Sequence, residues 1–204
     1  MNNSILSKDK DPMGAAILDY QTTGKSDTLR ILSSMFEEDE MLVSHLFRTL
    51  RDMPILERKA LELSRGKILD VGAGAGNELK ENFDTILLLM NGTGIAGKIS
   101  NLPKLFKRLK ELITPNGQIL IDSSDLKYIY ENEDGSFDID LNANYYGEVD
   151  YQMVYKDIKG EPFDWLYVDF PLLSTIAQAN GLHAELIAEG NHYDYLAKLA
   201  HLGA

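Results

Sequence analysis

Gly72, Gly74 and Gly76 stand at alternate positions in KILDVGAGAG, directly after a short apolar run that ends at Asp70 and Val71. A turn without side chains lets backbone N–H groups approach a ligand, and Cβ atoms at those positions would block the approach. The chemistry this suggests is the holding of a cofactor. The spacing is GxGxG, whereas the dinucleotide fingerprint is GxGxxG followed by a later acidic residue, so a nicotinamide cofactor is the weaker reading. A glycine turn that serves packing alone is the bland alternative.

Other residues have chemistry to offer. Asn91 could orient a substrate or a cofactor, although Asn followed by Gly92 is also a common turn. Asp122, in LIDSSD at the end of an apolar run, is a candidate for substrate contact or a loop carboxylate capping the Ser123 region. His192, with Asp194 two residues on, could act as a base or be an ordinary surface histidine. His45, His183 and His201 show no ligand spacing with acids, and no metal site is expected. The run EEDE, Glu37 to Glu40, reads as an exposed helical face. ENEDGSFDID, Glu131 to Asp140, fails as a calcium loop: with Gly135 at the invariant glycine, Tyr130 and Leu141 fall on ligand positions. Tyr145, Tyr146, Tyr151, Tyr155, Trp165 and Tyr167 could line an apolar pocket, though sheet packing accounts for most such concentrations.

These residues need a scaffold, and the apolar pattern predicts one. Asp11 to Leu63 reads as helical, with Leu29, Ile31, Leu32, Met35 and Phe36 and then Leu46, Phe47 and Leu50 at three-to-four spacing. KILDV, DTILLLM and QILID are short strands apolar on both faces, as in a parallel sheet covered on both sides. LPKLFKRLKELI is an amphipathic helix ended by the turn TPNG. Tyr146 to Asp157 and Gly160 to Phe170 read as an antiparallel pair, Leu172 to Asn180 as a helix stopped by Gly181, and His183 to Gly190 as a strand.

With 204 residues and 44% apolar content, the chain can bury one sizeable core. Its 32 acids against 20 bases, a formal charge of −12, oppose binding to nucleic-acid phosphates. The absence of cysteine excludes disulfides and thiolate chemistry. No apolar core of a signal peptide and no run of membrane-spanning length is found, so the expectation is a cytoplasmic protein without a membrane partner.

LDVGAGAG resembles the first motif of class I S-adenosylmethionine-dependent methyltransferases. In that family the acidic residue before the glycines, here Asp70, and the loop Gly72, Gly74, Gly76 contact the cofactor. FDTILLLMNG, Phe83 to Gly92, resembles the family's fourth strand, whose end lies beside the transferred methyl group; Asn91 and Gly92 match that place, and Met90 and Asn91 are counted with the cofactor-binding residues. The family variant with Asn-Pro-Pro-aromatic there methylates planar amino nitrogens, but this chain has Asn-Gly-Thr-Gly. LPKLFKRLKELITPNGQILI resembles the next helix, loop and fifth strand, and the chain from Trp165 onward fits the antiparallel end of the sheet.

The resemblance implies an α/β, Rossmann-like methyltransferase sheet with helices on both faces, spanning residues 65–204, and a helical cap over 1–64. It also implies a departure. Asn77 to Phe83 supplies too few residues for an ordinary crossover, so the family's second and third strands, and the acidic ribose ligand, have no counterpart. Either a segment of about forty residues is missing at a junction near Asn77 and Glu78, or the chain is naturally short. The well-formed motifs on both sides favour loss. The expected function is methyl transfer from S-adenosylmethionine to a small molecule, with Asp122 and His192 beside the substrate. The rivals are a non-catalytic binding remnant of the fold and a nicotinamide-dependent oxidoreductase.

Overall fold

The structure, a computed structural model, describes residues 7–71, 81–140 and 142–203. The elements in chain order are α1 (Pro12–Thr23), β1 (Leu29–Leu32), β2 (Asp39–Met41), α2 (Ile55–Leu63), β3 (Ile68–Asp70), β4 (Phe83–Leu88), α3 (Leu102–Leu112), β5 (Ile113–Ser124), β6 (Glu148–Tyr155), β7 (Ile158–Lys159), β8 (Phe163–Leu166), α4 (Phe170–Ala179), β9 (Leu182–Glu189) and β10 (Asp194–His201). They fall into two compact units, one of residues 1–53 and 149–164, the other of 54–148 and 165–204.

In the first unit β1 pairs antiparallel with β2 and with β6, and β6 pairs antiparallel with β7. Ala16 of α1, Leu29, Val43 and Tyr155 form its core. This corrects the all-helical reading of the leading segment. Leu29, Ile31 and Leu32 do recur at helical spacing, but Leu29 to Ile31 meet Asp39 to Met41 across a ladder. Four residues are too few for periodicity to separate helix from strand, and the strand partners settle it. EEDE accordingly ends in a strand, with the guanidinium of Arg30 paired to Glu38. The unit also takes in 149–164, so the boundary expected at 64 and 65 differs from the clustering found.

The second unit is built on a five-stranded sheet of order β3-β4-β5-β10-β9. β3, β4 and β5 run parallel, and β10 and β9 close the sheet antiparallel. β4 and β5 were legible because both of their faces are covered. Ile86, Leu88, Ile119 and Ile121 pack with Leu102, Phe106 and Leu109 of α3 and Leu173 and Ala177 of α4. On the other face Leu87, Leu120 and Leu196 pack with Leu56 and Ala60 of α2. TPNG, expected as the turn that ends the helix, lies within the following strand instead: Phe83 faces Ile113 and Thr85 faces Gln118, so Thr114 to Gly117 bulge out of a continuous β5. α4 stops as expected, with Gly181 just beyond it at φ 77°, a conformation that glycine adopts without a Cβ penalty.

Twelve residues, Val71 to Asn82, join the parallel neighbours β3 and β4, and most of them lie outside the described residues. Among the described residues β3 is the edge of the sheet, with no second or third strand of the family beyond it. Among the described residues, too, no helix is long and apolar enough to cross a membrane.

Leu120 is fully buried on the central strand, where both neighbours hold it in place. Leu120→Ala is expected to lower the unfolding free energy by about 2–5 kcal/mol, measured by urea denaturation.

Candidate functional site

In an open sheet of parallel strands, ligands bind outside the carboxyl ends, where the loops gather. Here that edge is formed by Asp70, by the turn after Leu88 and by Asp122 to Asp125. Asp70 ends β3 opposite Leu87 and is exposed, while Val71 is buried and donates its N–H to Leu87 O at 2.9 Å. Gly72, Gly74 and Gly76 lie outside the described residues.

The turn after β4 is unusual. Met90 and Asn91 both take left-handed backbone angles, φ 64° and 61°, which cost non-glycine residues energy and persist only where neighbours hold them. Two adjacent residues of β5 do the holding, from opposite faces. Asp122 follows Leu120 by two and so shares the α2 face; its Oδ1 accepts the Gly92 N–H at 2.8 Å. Ser123 shares the α3 and α4 face with Ile119 and Ile121; its Oγ donates to Asn91 Oδ1 at 3.1 Å and accepts from Val168 N at 3.0 Å.

The network continues from Ser123. Its Oγ lies 2.6 Å from Thr93 Oγ1, which donates to Leu166 O at 2.9 Å. Asn91 Nδ2 donates to the same carbonyl at 3.2 Å, and Tyr195 OH donates to Val168 O at 2.8 Å. Thr93 and Ser123 are buried, so these partners replace water. Gly94 completes the turn's packing, because a Cβ there would stand 1.9 Å from the ring of Trp165.

Burial pushes the carboxyl of Asp122 up to about 6, and the charge of Glu57 acts the same way. The N–H groups of Gly92, Asn91 and Met90 oppose this by favouring the ionised form. Further along the edge Tyr145 OH donates to Asp169 Oδ2 at 2.7 Å, and Tyr146 OH donates to Asp125 Oδ1 at 2.9 Å. Burial pushes both phenols up, so they are donors at neutral pH. Tyr145, Tyr146 and Trp165 therefore do stand by this edge, whereas Tyr151 and Tyr155 belong to the other unit.

Of the residues that the sequence singled out, Asp70, Met90, Asn91 and Asp122 stand at or just beyond the carboxyl ends of three adjacent strands. Met90 is 45% exposed, and Asn91 has both ends of its amide engaged inside the protein. His192 is exposed in the hairpin between β9 and β10, and Asp194 Oδ1 accepts its backbone N–H at 2.9 Å rather than its ring. The hairpin reaches the same edge, since Asp125 N donates to Tyr193 O at 3.0 Å. No group of three or more His, Asp or Glu among the described residues could hold a metal ion. Asp134 accepts from Ser136 N at 2.9 Å, closing ENEDGSFDID as a polar turn. Sequence reasoning missed Thr93, Ser123 and the pairing of Asp125 and Asp169 with tyrosines; the one available signal was the pair of serines directly after LID.

Among solved structures, this chain is 46% identical to a SAM-dependent methyltransferase from Bacteroides fragilis in complex with S-adenosyl-L-homocysteine. The match covers 98% of each chain with a TM-score of 0.88. The chain belongs to the S-adenosylmethionine-dependent methyltransferases. Two further structures align at a level that carries no functional argument. One is an amino pentose methyltransferase from Micromonospora echinaspora, 10% identical over 81% of this chain and 99% of that one, TM-score 0.46. The other is a methyltransferase from Clostridium acetobutylicum, 12% identical over 63% and 62%, TM-score 0.44. No family model matches the sequence, and no curated protein does. Membership displaces the nicotinamide reading, as the GxGxG spacing had already favoured. S-adenosylmethionine is the cofactor, and the exposed carboxylate of Asp70 stands at the carboxyl edge of the sheet.

The raised Asp122 carboxyl sets a pH dependence. Its folded value lies above its unfolded one, so the folded state binds the extra proton, and stability falls as pH rises from about 4 to about 6. Asp122→Asn keeps an acceptor for Gly92 without the charge. Its thermal midpoint is expected to exceed that of the wild type by about 2–4 °C at pH 8, with the difference gone near pH 4. Gly94→Ala is expected to cost about 1–3 kcal/mol and to shift the emission of Trp165, the only tryptophan, as its ring gives way.

Proposed function

We infer that this methyltransferase transfers the methyl group to a small-molecule acceptor bound at the carboxyl edge of β3, β4 and β5. The observation that carries this reading is the alignment of three features on neighbouring strands: the exposed carboxylate of Asp70, the braced left-handed turn at Met90 and Asn91, and Asp122. The formal charge of −12 supports a small acceptor over a nucleic acid, whose backbone such a surface repels.

Asp70, with Gly72, Gly74 and Gly76, would hold the cofactor's methionine part. Met90 and Asn91 would border the reacting end, and Asp122 and His192 mark the stretch that the acceptor meets. When bound, the cofactor supplies an electrophilic methyl group on a sulfonium. The chain's contribution is to keep acceptor and methyl in line and to exclude water, and positioning of that kind can supply much of the acceleration. A dedicated base is not required. Tyr145 and Tyr146, protonated at neutral pH with their hydroxyl protons held by Asp169 and Asp125, do not act as bases toward an acceptor.

Calorimetry tests the cofactor assignment. The wild-type chain is expected to bind S-adenosyl-L-homocysteine. Asp70→Ala should weaken binding at least about tenfold with an unchanged thermal midpoint, because an exposed side chain contributes little to folding. Gly74→Val should abolish binding by filling the space the methionine part needs. Affinity unchanged in both variants would remove the loop from the site, and a wild type that does not bind would leave a non-catalytic remnant of the fold.

A further inference from the structure

The braced turn points to a role for β5 beyond acceptor contact. We propose that Asp122 and Ser123 are positioning residues, which together clamp the Met90–Gly92 turn in its left-handed form and so fix the border of the cofactor site. The proposal rests on the placement of the cofactor at this edge, given above.

The clamp is two-sided. Alternation along β5 sends the Asp122 carboxylate to the α2 face and the Ser123 hydroxyl to the α3 and α4 face, and both reach the same three-residue turn. Asp122 acts on the turn's backbone at Gly92. Ser123 acts through the Asn91 amide, whose other end is tied to Leu166 O. The two left-handed residues are not glycine, so without both ties the turn would relax toward ordinary angles and carry Met90 with it. Asp122 also sits under consecutive N–H groups of the turn, an arrangement in which backbone amides converge on an anion. A partly buried carboxylate kept near the charge of Glu57 carries an energetic penalty, and the tie to the turn gives a reason for its retention.

Ser123 carries the larger share of connections. Its single hydroxyl meets Asn91, Thr93 and the N–H of Val168, joining the turn to β5 and to the chain leading into α4. A polar atom that is buried and has three partners cannot be removed without leaving one of them unpaired. Thr93, which shares the Leu166 carbonyl with Asn91, stiffens the same turn from one residue further on.

The test compares affinity for S-adenosyl-L-homocysteine with thermal midpoint in four variants of the full chain. Asp122→Ala and Ser123→Ala should each weaken binding by about tenfold or more, the scale expected when a contacting group is misplaced. Asp122→Asn, which keeps the acceptor for Gly92, should bind within about threefold of wild type. Asp84→Asn is the control. Asp84 also accepts a backbone N–H, from Lys67 at 2.9 Å, but at the opposite end of β4. It should leave affinity unchanged. Wild-type affinity in both Asp122→Ala and Ser123→Ala would overturn the proposal. So would Asp122→Asn binding as weakly as Asp122→Ala, since the charge would then be meeting the ligand directly. If Asp122→Ala does not fold, Ser123→Ala and Asp122→Asn decide alone. Absence of binding by the wild type would instead overturn the cofactor placement, and the clamp's role with it.

Discussion

Everything in the larger unit follows from the burial of β4 and β5 on both faces. Ile86, Leu88, Ile119, Ile121 and Leu120 are wholly out of water, with α3 and α4 on one side and α2 on the other. A strand covered in this way can display a polar group only at its ends, because along its length any such group would lose hydration without a partner. The exceptions are satisfied ones: Thr85, near the start of β4, and Gln118, just after the bulge in β5, are buried polar residues bonded to Arg65 O and to Leu63 O. Function is therefore confined to the carboxyl edge by packing, before any residue there is considered.

At that edge the chain must reverse into a helix within a few residues, and a second constraint takes over. A tight reversal from a buried strand leaves backbone groups that neither sheet nor helix satisfies. Side chains of the neighbouring strand satisfy them here. Asp122 and Ser123 are consecutive, so the pleat sends them to opposite faces, and a turn standing over the strand end is reached from both. Hydroxyls and a carboxylate at such a place are stronger partners than they would be in water, since little solvent competes. The same dryness raises the carboxyl of Asp122, a cost that would be absent had the turn been held by apolar contacts.

What could be read from the sequence depended on whether the signal was local. Strands apolar on both faces announce themselves as unbroken runs, and KILDV, DTILLLM and QILID lie where β3, β4 and β5 stand. α3 and α4 were equally legible, the one from its apolar stripe and the other from the glycine that follows it. LRIL was not, because four residues with apolar positions at both two-residue and three-residue separations fit strand and helix alike, and only pairing with β2 and β6 decides. The grouping of 149–164 with the leading segment was hidden for the same reason: it depends on partners more than a hundred residues away. In the site, Asp70, Asn91 and Asp122 could be named from motif and strand end. Ser123 and Thr93 could not. Their importance lies in which oxygens they reach across thirty residues of chain, and a serine or threonine has no sequence mark that records this.

The sheet order β3-β4-β5-β10-β9 also sharpens what the short connection between β3 and β4 means. β3 has only three residues and only one partner among the described residues, with Ile68 47% exposed, so its outer side contributes little buried surface. A sheet that ended in a long apolar strand would invite pairing with another chain, and a short edge limits that risk. The fold thus tolerates an end at β3 on stability grounds, because its core lies between β4 and β10, where the helices cover both faces. The cofactor is in a different position. Under the proposed cofactor placement, and with no acidic strand end beyond β3 among the described residues, recognition would draw more heavily on Asp70, the glycine loop and the turn after β4. In such a site the geometry of each remaining contact would count for more, and so would whatever keeps Met90 and Asn91 in their left-handed form.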